Sequence, residues 1–195
     1  MSATASRTAS TSAPILDVLA ERWSPRSYDA TATVSDETLA SLLEAARWSP
    51  SASNSQPWRF IVARRGTDEF DRIVATLAGF NGAWAGSAAV LVVALAETVD
   101  SEGKPRPWAV YDLGQSIAHL SVQAHHEGLH VHQMAGFDKD AVRAAFGVDE
   151  RFDPVTIAAV GVAADADALA NETLRERETA PRTRLPLEEL VLVSA

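Results

Sequence analysis

The residues of this chain best suited to chemistry are arginines placed beside a serine. Arg22 and Arg26 flank Ser24, and Arg182 and Arg184 alternate late in the chain. Guanidinium groups can fork onto phosphate oxygens while a hydroxyl adds a hydrogen bond, so the first segment could bind an anion. Alternate residues of an extended chain point to the same side, which brings the two late arginine heads together. A solvated, charged turn is the alternative for each segment.

A second candidate site is the polar loop between Pro50 and Pro57. The loop carries the side chains of Ser51, Ser53, Asn54 and Gln56. Two prolines stiffen this connection, and its many donors and acceptors suit a heteroaromatic ligand with several hydrogen-bonding edges. An ordinary connection between a helix and a strand explains the same residues equally well.

Five histidines lie close together in the chain: His119, His125, His126, His130 and His132. His130 and His132 could share one face of a strand, and imidazole is the commonest zinc ligand. However, the chain has neither a cysteine nor an H-E-x-x-H pattern. Neighbouring residues on a helix also point about 100° apart, which separates His125 from His126. We therefore predict no metal site, although one histidine could donate a proton to a substrate.

Length and composition indicate an ordinary globular protein. The 195 residues suit one domain, and the absence of cysteine excludes disulfides, thiolate metal sites and cysteine nucleophiles. A net charge of −9 disfavours binding to nucleic acid or anionic membranes. The longest apolar run, 88–96, is too short to span a bilayer. We expect a cytoplasmic protein with a disordered arm over residues 1–13 and a single domain over residues 14–195.

Helix and strand patterns alternate along this domain. Helices are predicted over residues 14–22, 36–48, 68–77, 112–127 and 139–146, and strands over residues 58–63, 88–95, 129–133 and 155–163. Ser35 and Asp138 are predicted N-caps, and Gly147 ends the helix before it. Residues 165–184 are polar, with a short helix at most. An apolar strand is predicted over residues 187–193, which must pair with its own sheet or with a partner's.

Two motifs together resemble the FMN-binding nitroreductase family. They are the R-x-S-x-R segment at 22–26 and the P-S-x-x-N-x-Q-P-W segment at 50–58, which leads into a strand. The order of the later features agrees with the family: a long helix that ends in Gly-Leu, a G-F-D helix start at 136–138, and the late Arg-x-Arg pair. The resemblance covers residues 14–193.

The resemblance implies a fold and an assembly. We expect an α+β fold with a central, mostly antiparallel sheet flanked by helices and completed by the partner's C-terminal strand. Members of the family hold FMN at the interface of a homodimer, and their C-terminal segment crosses to the partner. Residues 165–195 would form that exchange segment, with 190–193 as the added strand.

The resemblance also assigns FMN contacts, residue by residue. The phosphate and ribityl chain would be bound by Arg22, Ser24, Arg182 and Arg184. Arg26 would lie near the flavin pyrimidine, where a positive charge stabilises the anionic reduced ring. The partner subunit would contribute its loop residues Ser51, Ser53, Asn54 and Gln56. Backbone amides of Met134, Ala135 and Gly136 would approach flavin N5 and O4, and Asn81 would contact the pyrimidine edge.

The resemblance implies an enzyme in which NADH or NADPH donates hydride to FMN, and the reduced flavin passes electrons to a nitroaromatic, quinone or similar acceptor by a ping-pong mechanism. No catalytic side chain is predicted, because flavin N5 carries the chemistry. Related scaffolds dehydrogenate, dehalogenate or cleave flavin, and a non-catalytic flavin-binding protein is a further alternative. The loop 97–111 lies where the family varies its pocket lid. Its Trp108 or Tyr111 could stack on a substrate, and its Arg106 could meet a 2′-phosphate.

Overall fold

Helices and strands alternate in the computed structural model, which describes residues 7–193. In chain order the elements are α1 (Asp17–Glu21), α2 (Asp36–Arg47), β1 (Trp58–Arg64), α3 (Asp68–Thr76), β2 (Val90–Glu97), α4 (Ala109–His126), β3 (His130–Met134), α5 (Lys139–Phe146), β4 (Phe152–Gly161), α6 (Glu172–Thr179) and α7 (Leu187–Leu190). Four short 3₁₀ turns connect them, at residues 52–54, 79–83, 85–87 and 166–168. Among the described helices, none has the length and apolar character that crossing a membrane requires.

The strands form one antiparallel sheet in the order β1-β2-β4-β3. All eight residues of β2 are buried, because the strand has a neighbour on each edge and helices on each face. Its register pairs Val92 with Val62 of β1 on one side and with Ala158 of β4 on the other. The apolar run at 88–96 is therefore a core strand, and the predicted α+β class with an antiparallel central sheet is confirmed.

Alternate side chains of β2 enter two separate apolar layers. The even-numbered residues from Val90 to Ala96 pack with α2 and α4, where Leu120 of α4 is fully buried. The odd-numbered residues from Leu91 to Leu95 pack with α3, α5 and α6, where Val142 of α5 is fully buried. The sheet is thus the middle of three layers, and both of its faces are closed to ligands.

The predicted capping residues set the helix boundaries. Ser35 accepts a hydrogen bond from the backbone N–H of Thr38 at 3.1 Å, and Asp138 accepts one from that of Ala141 at 3.0 Å. Each side chain satisfies a backbone donor that the first helical turn leaves unpaired. Gly147 ends α5 at φ 62°, a left-handed conformation that glycine adopts without a steric cost.

The C-terminal segment differs from the strand predicted over residues 187–193. Residues Leu187–Leu190 form helix α7, and residues 191–193 pair with no strand in the described chain. Glu188 and Glu189 lie in the first turn of α7, where negative charge favours a helix. The strand prediction is wrong for residues 187–190. Addition of residues 191–193 to a partner's sheet stays a prediction.

The predicted disordered arm, residues 1–13, falls partly outside the described residues, because the description begins at Arg7. Residues 7–13 contain neither helix nor strand, yet they contact the folded domain. The backbone N–H of Ala9 donates to the carbonyl of Ala20 at 2.8 Å, and Arg7 donates to the carbonyl of Ala180 at 2.7 Å. Disorder of the arm as a whole stays a prediction.

A buried carboxylate fixes the end of β2. Glu97 is 6% exposed, and its oxygens accept hydrogen bonds from Arg106 at 2.6 Å and from Arg151 at 2.8 Å. Arg59 completes the group at 3.4 Å. The Nη1 group of Arg106 is therefore bonded within the chain, and contact of this side chain with a nucleotide phosphate stays a prediction. The three arginines fasten β1, the loop before α4 and the start of β4 to one residue.

Replacement of Glu97 by alanine is expected to lower the free energy of unfolding by about 2 kcal/mol, since charged hydrogen bonds are lost from a buried site. Urea unfolding, followed by far-UV circular dichroism, measures the effect. Glu102→Ala is the control, because Glu102 is exposed in the loop that follows β2. Equal stability of the two variants would contradict the role given to Glu97.

Candidate functional site: an arginine-lined cleft

The residues predicted to bind phosphate meet in one cleft, although the chain order separates them widely. Arg22, Ser24 and Arg26 follow α1, whereas Arg182 and Arg184 follow α6. The lining of the cleft consists of Arg7, Arg22, Trp23, Ser24, Arg26, Arg177, Arg182 and Arg184. Arg7 and Arg177 were not anticipated, because Arg7 lies in the arm expected to be disordered and Arg177 lies on a polar helix with no local motif.

Arg182 is the residue that joins the two halves of this cleft. Its Nη1 donates to the carbonyl of Ala20 at 2.8 Å and to that of Arg7, and its Nη2 donates to the carbonyl of Arg22 at 2.8 Å. These carbonyls lie at the C-terminal end of α1 and in the arm, where helical bonding leaves acceptors free. Some of the N–H donors of Arg182 therefore hold the two sides of the cleft together through backbone carbonyls.

The electrostatics of the cleft favour an anionic ligand. Burial, followed by the charge of Arg184, lowers the pKa of Arg22. Burial also lowers the pKa of Arg182, with further lowering from the charges of Arg22, Arg184 and Arg7. Like charges held together in partial burial repel one another, and a phosphate dianion in the cleft would relieve that repulsion.

Glu178 of α6 holds the backbone of the segment that contains Arg26. The sequence analysis did not identify this residue. Its side chain is 3% exposed and accepts hydrogen bonds from the backbone N–H groups of Arg26, at 2.8 and 3.0 Å, and of Ser27, at 3.0 Å. The Arg26 guanidinium lies 3.9 Å from the carboxylate. Burial raises the pKa of Glu178, while these N–H groups and Arg26 oppose the rise. The contact spans about 150 residues, so no local pattern signals it.

The polar loop between the prolines holds an unusual backbone. Ser53, Asn54 and Gln56 have φ values of 53°, 54° and 46°, a left-handed region that non-glycine residues seldom occupy. The Ser51 hydroxyl accepts from the backbone N–H of Gln56 at 3.1 Å, and buried Asp112 accepts from that of Ala52 at 3.0 Å. Such strain is typical of segments that serve a ligand.

This loop and the arginine cleft line different surfaces of the single chain. Ala52, Ser53 and Ser55 line a second depression together with the loop before α4, which includes Trp108. Trp108 and Tyr111 are 62% and 65% exposed, so both rings are free to contact a ligand or another chain. One chain thus presents the two halves of the predicted FMN site separately.

The segment after β3 exposes backbone rather than side chains. Met134 is buried in the core, whereas Ala135 and Gly136 are exposed. The Gly136 carbonyl accepts from the Asn81 side chain at 3.0 Å, as it does from the backbone N–H of Ala78. A Cβ on Gly136 would lie 2.8 Å from Asn81 Nδ2, so only glycine fits without displacing that amide. The structure thus brings Asn81 and Gly136 into contact, and the flavin contacts expected of each stay predictions.

Three of the five histidines pack near residues that line the cleft. His132 forms a 2.8 Å hydrogen bond through Nδ1 with the Pro25 carbonyl, and its ring lies 4.6 Å from that of Trp84. The His130 ring lies 5.9 Å from that of Trp23 and 5.3 Å from that of His125. Over residues 7–193, no group of three or more histidine, aspartate or glutamate side chains is arranged to hold a metal ion.

Burial sets the protonation of two of these rings. It lowers the pKa of His130 to about 4, with help from His125 and Arg22. It also lowers the pKa of His132 to about 4, where the Arg26 charge adds to the effect and a hydrogen bond to Pro25 opposes it. Both rings are neutral near pH 7, so they add no further positive charge beneath the cleft.

Fold and site together define an α+β protein with an antiparallel sheet and a cleft lined by arginines from both ends of the described chain. The chain belongs to the Nitroreductase family, whose model matches residues 19–79 and 66–162. A solved structure of an oxidoreductase containing FMN is 33% identical, with a TM-score of 0.89, and the match covers 97% of this chain and 96% of the other.

Two curated relatives agree with this membership. An uncharacterized 15.4 kDa protein of Mycolicibacterium smegmatis is 39% identical over 139 residues, which cover 68% of this chain and 92% of the relative. YdgI of Bacillus subtilis, which is named as a candidate NAD(P)H nitroreductase, is 26% identical, and the match covers 77% of this chain and 88% of the relative.

The low pKa of His132 predicts acid sensitivity. The ring stays neutral in the folded protein down to about pH 4, whereas an unfolded histidine takes up a proton below about pH 6.5. Stability is therefore lost as the pH falls through this window. His132 is expected to account for about 2 kcal/mol of the loss in unfolding free energy between pH 7 and pH 5.

Urea unfolding at both pH values, for wild type and His132→Gln, measures the contribution of this ring. The raised pKa of Glu178 acts in the opposite direction but is common to both proteins, so the difference between their slopes isolates His132. His126→Gln, at an exposed position on α4, controls for the loss of a histidine. A His132→Gln slope equal to that of wild type would show the prediction to be wrong.

Proposed function

We propose that this protein is an FMN-dependent oxidoreductase that uses NADH or NADPH to reduce nitroaromatics, quinones or similar conjugated acceptors by a ping-pong mechanism. The observation that carries this proposal is the convergence of Arg22, Ser24, Arg26, Arg182 and Arg184 in one cleft. The solved relative that contains FMN supports the cofactor, and the name of the Bacillus subtilis relative supports the nicotinamide donor.

The residues of the cleft fit FMN. A phosphate dianion matches the crowded guanidinium groups, and the adjacent Ser24 hydroxyl is a further donor. Ala135 and Gly136 are exposed, and the Asn81 side-chain amide takes the place beside Gly136 that a Cβ would need. These residues would hold the phosphate and the ring edge respectively.

When bound, FMN supplies a centre that accepts hydride from the nicotinamide and returns electrons to the second substrate. The protein's own residues bind and orient. Arg26 contributes a positive charge, and its guanidinium lies 3.9 Å from the carboxylate of Glu178. The backbone at Ala135 and Gly136 offers N–H donors to the ring edge, and no side-chain nucleophile is needed. The ping-pong proposal requires that both substrates use the same side of the bound flavin in turn.

A homodimer completes the site in this proposal. The loop at 51–56 and the arginine cleft line different surfaces of one chain, so a partner would bring its loop to this chain's cleft. The C-terminal segment supports the assembly, because its large apolar side chains are exposed in the single chain: Leu185, Leu187, Leu190, Val191, Leu192 and Val193. Apolar surface of this extent is typical of a segment that packs against another chain.

The proposal is tested by the visible absorption spectrum and the native mass of the purified protein. We expect a flavin spectrum, release of about one FMN per chain on denaturation, and the mass of two chains. Anaerobic mixing with NADH or NADPH is expected to bleach the flavin. A colourless protein that does not bind added FMN would overturn the proposal. If FMN is bound but neither NADH nor NADPH bleaches it, the protein binds flavin without acting as a reductase.

Replacement of Arg26 by alanine tests whether this positive charge stabilises the reduced flavin. We expect a dissociation constant for FMN that is roughly tenfold larger, or a lower flavin potential, because a charge that stabilises the anionic ring is lost. Fluorescence titration and spectroelectrochemistry measure the two quantities. Arg47→Ala is the control, since Arg47 is paired with Glu44 on the surface of α2. Unchanged affinity and potential in Arg26→Ala would mean that the motif is misassigned.

A further inference from the structure

The segment formed by residues 7–9, here called the strap, closes one side of the arginine cleft. Its position is fixed by four contacts with three parts of the fold. Ala9 donates to Ala20 at the end of α1, Arg7 donates to Ala180 after α6, and the Arg7 carbonyl accepts from Arg182. The Arg7 guanidinium also lies over the ring of Trp23, 4.5 Å from its centroid. The strap therefore touches both halves of the cleft.

Arg7 is held on a rigid stack. The Trp23 ring contacts both the Arg7 guanidinium and, edge to face, the ring of His130. Stacking on an aromatic face restricts a guanidinium to one plane, and the Nη2 bond to Ala180 sets its direction within that plane. A long, flexible side chain has thus lost most of its freedom before any ligand arrives.

One donor of this fixed guanidinium lacks an acceptor. Arg7 Nε is shielded from solvent, and the described chain offers it no hydrogen-bond partner. The other charged groups at the cleft are five more arginines and the carboxylate of Glu178, which is already bonded to backbone N–H groups. A buried N–H without an acceptor, at the edge of a cleft rich in positive charge, is suited to an oxyanion.

We propose that Arg7 is a ligand of the phosphate group bound in this cleft, so that the strap is part of the cofactor site rather than a passive arm. The inference rests on the proposed function in one respect, namely that the bound phosphate group belongs to FMN. The guanidinium contributes its Nε–H and a free Nη–H to the phosphate oxygens, beside Arg22 and Arg184.

Titration of the full-length apoprotein with FMN and with riboflavin tests Arg7, because riboflavin has the same ring without the phosphate. Arg7→Ala is expected to raise the dissociation constant for FMN roughly tenfold and to leave that for riboflavin unchanged. Arg7→Lys, which keeps the charge but not the fork, is expected to fall between wild type and Arg7→Ala. Arg175→Ala is the matched control, because Arg175 on α6 is bonded to Glu172 and to the Leu169 carbonyl.

Two results of the flavin titrations would overturn the inference. Wild-type affinity for FMN in Arg7→Ala would exclude a phosphate contact, and an equal loss of FMN and riboflavin binding would indicate a structural role alone. If the wild type binds neither flavin, the proposed function fails while Arg7 can still be judged with inorganic pyrophosphate. A rise in Tm with pyrophosphate that is smaller in Arg7→Ala than in wild type supports the inference. An equal rise, or none in wild type, overturns it.

Discussion

Water does not reach the central strand β2, and this fixes where the other elements can lie. Every residue of β2 is buried, so each of its backbone donors and acceptors must be satisfied within the sheet. This requirement gives β2 a paired strand on both edges, and its apolar side chains require helices on both faces. No ligand can enter such a centre. The residues proposed to bind the cofactor lie where elements end: after α1, after α6, before β1 and after β3.

The arginine cleft is held together by charged and polar contacts, whereas the core is held together by apolar packing. Its charges come from both ends of the described chain, and the bonds that bring them together are made by the cleft residues themselves. Arg182 holds the end of α1, and Glu178 holds the backbone at Arg26 and Ser27. Attraction to backbone groups thus offsets repulsion between the guanidinium groups. The contacts that join the two ends of the described chain are therefore the same contacts that form the arginine cleft.

The local features could be predicted from the sequence, and the contacts between distant residues could not. The caps at Ser35 and Asp138 and the apolar run of β2 depend on neighbours in the chain, so pattern and composition were sufficient. Residues 187–190 had an apolar pattern too short to separate a strand from a helix, and a helix formed. Glu178 and Arg7 act through partners more than 150 positions away, which no spacing rule records.

The left-handed backbone of the loop at 51–56 has a consequence for the evolution of this protein. Each of Ser53, Asn54 and Gln56 costs the folded state about 1 kcal/mol or more in conformational strain. Ser51, within the loop, and Asp112 and Arg59, outside it, are hydrogen-bonded to the loop backbone in that shape. A glycine at any of the three strained positions would relax the backbone and release the fixed shape at once. Selection for thermal tolerance and selection for a rigid binding loop therefore act in opposite directions on the same short segment.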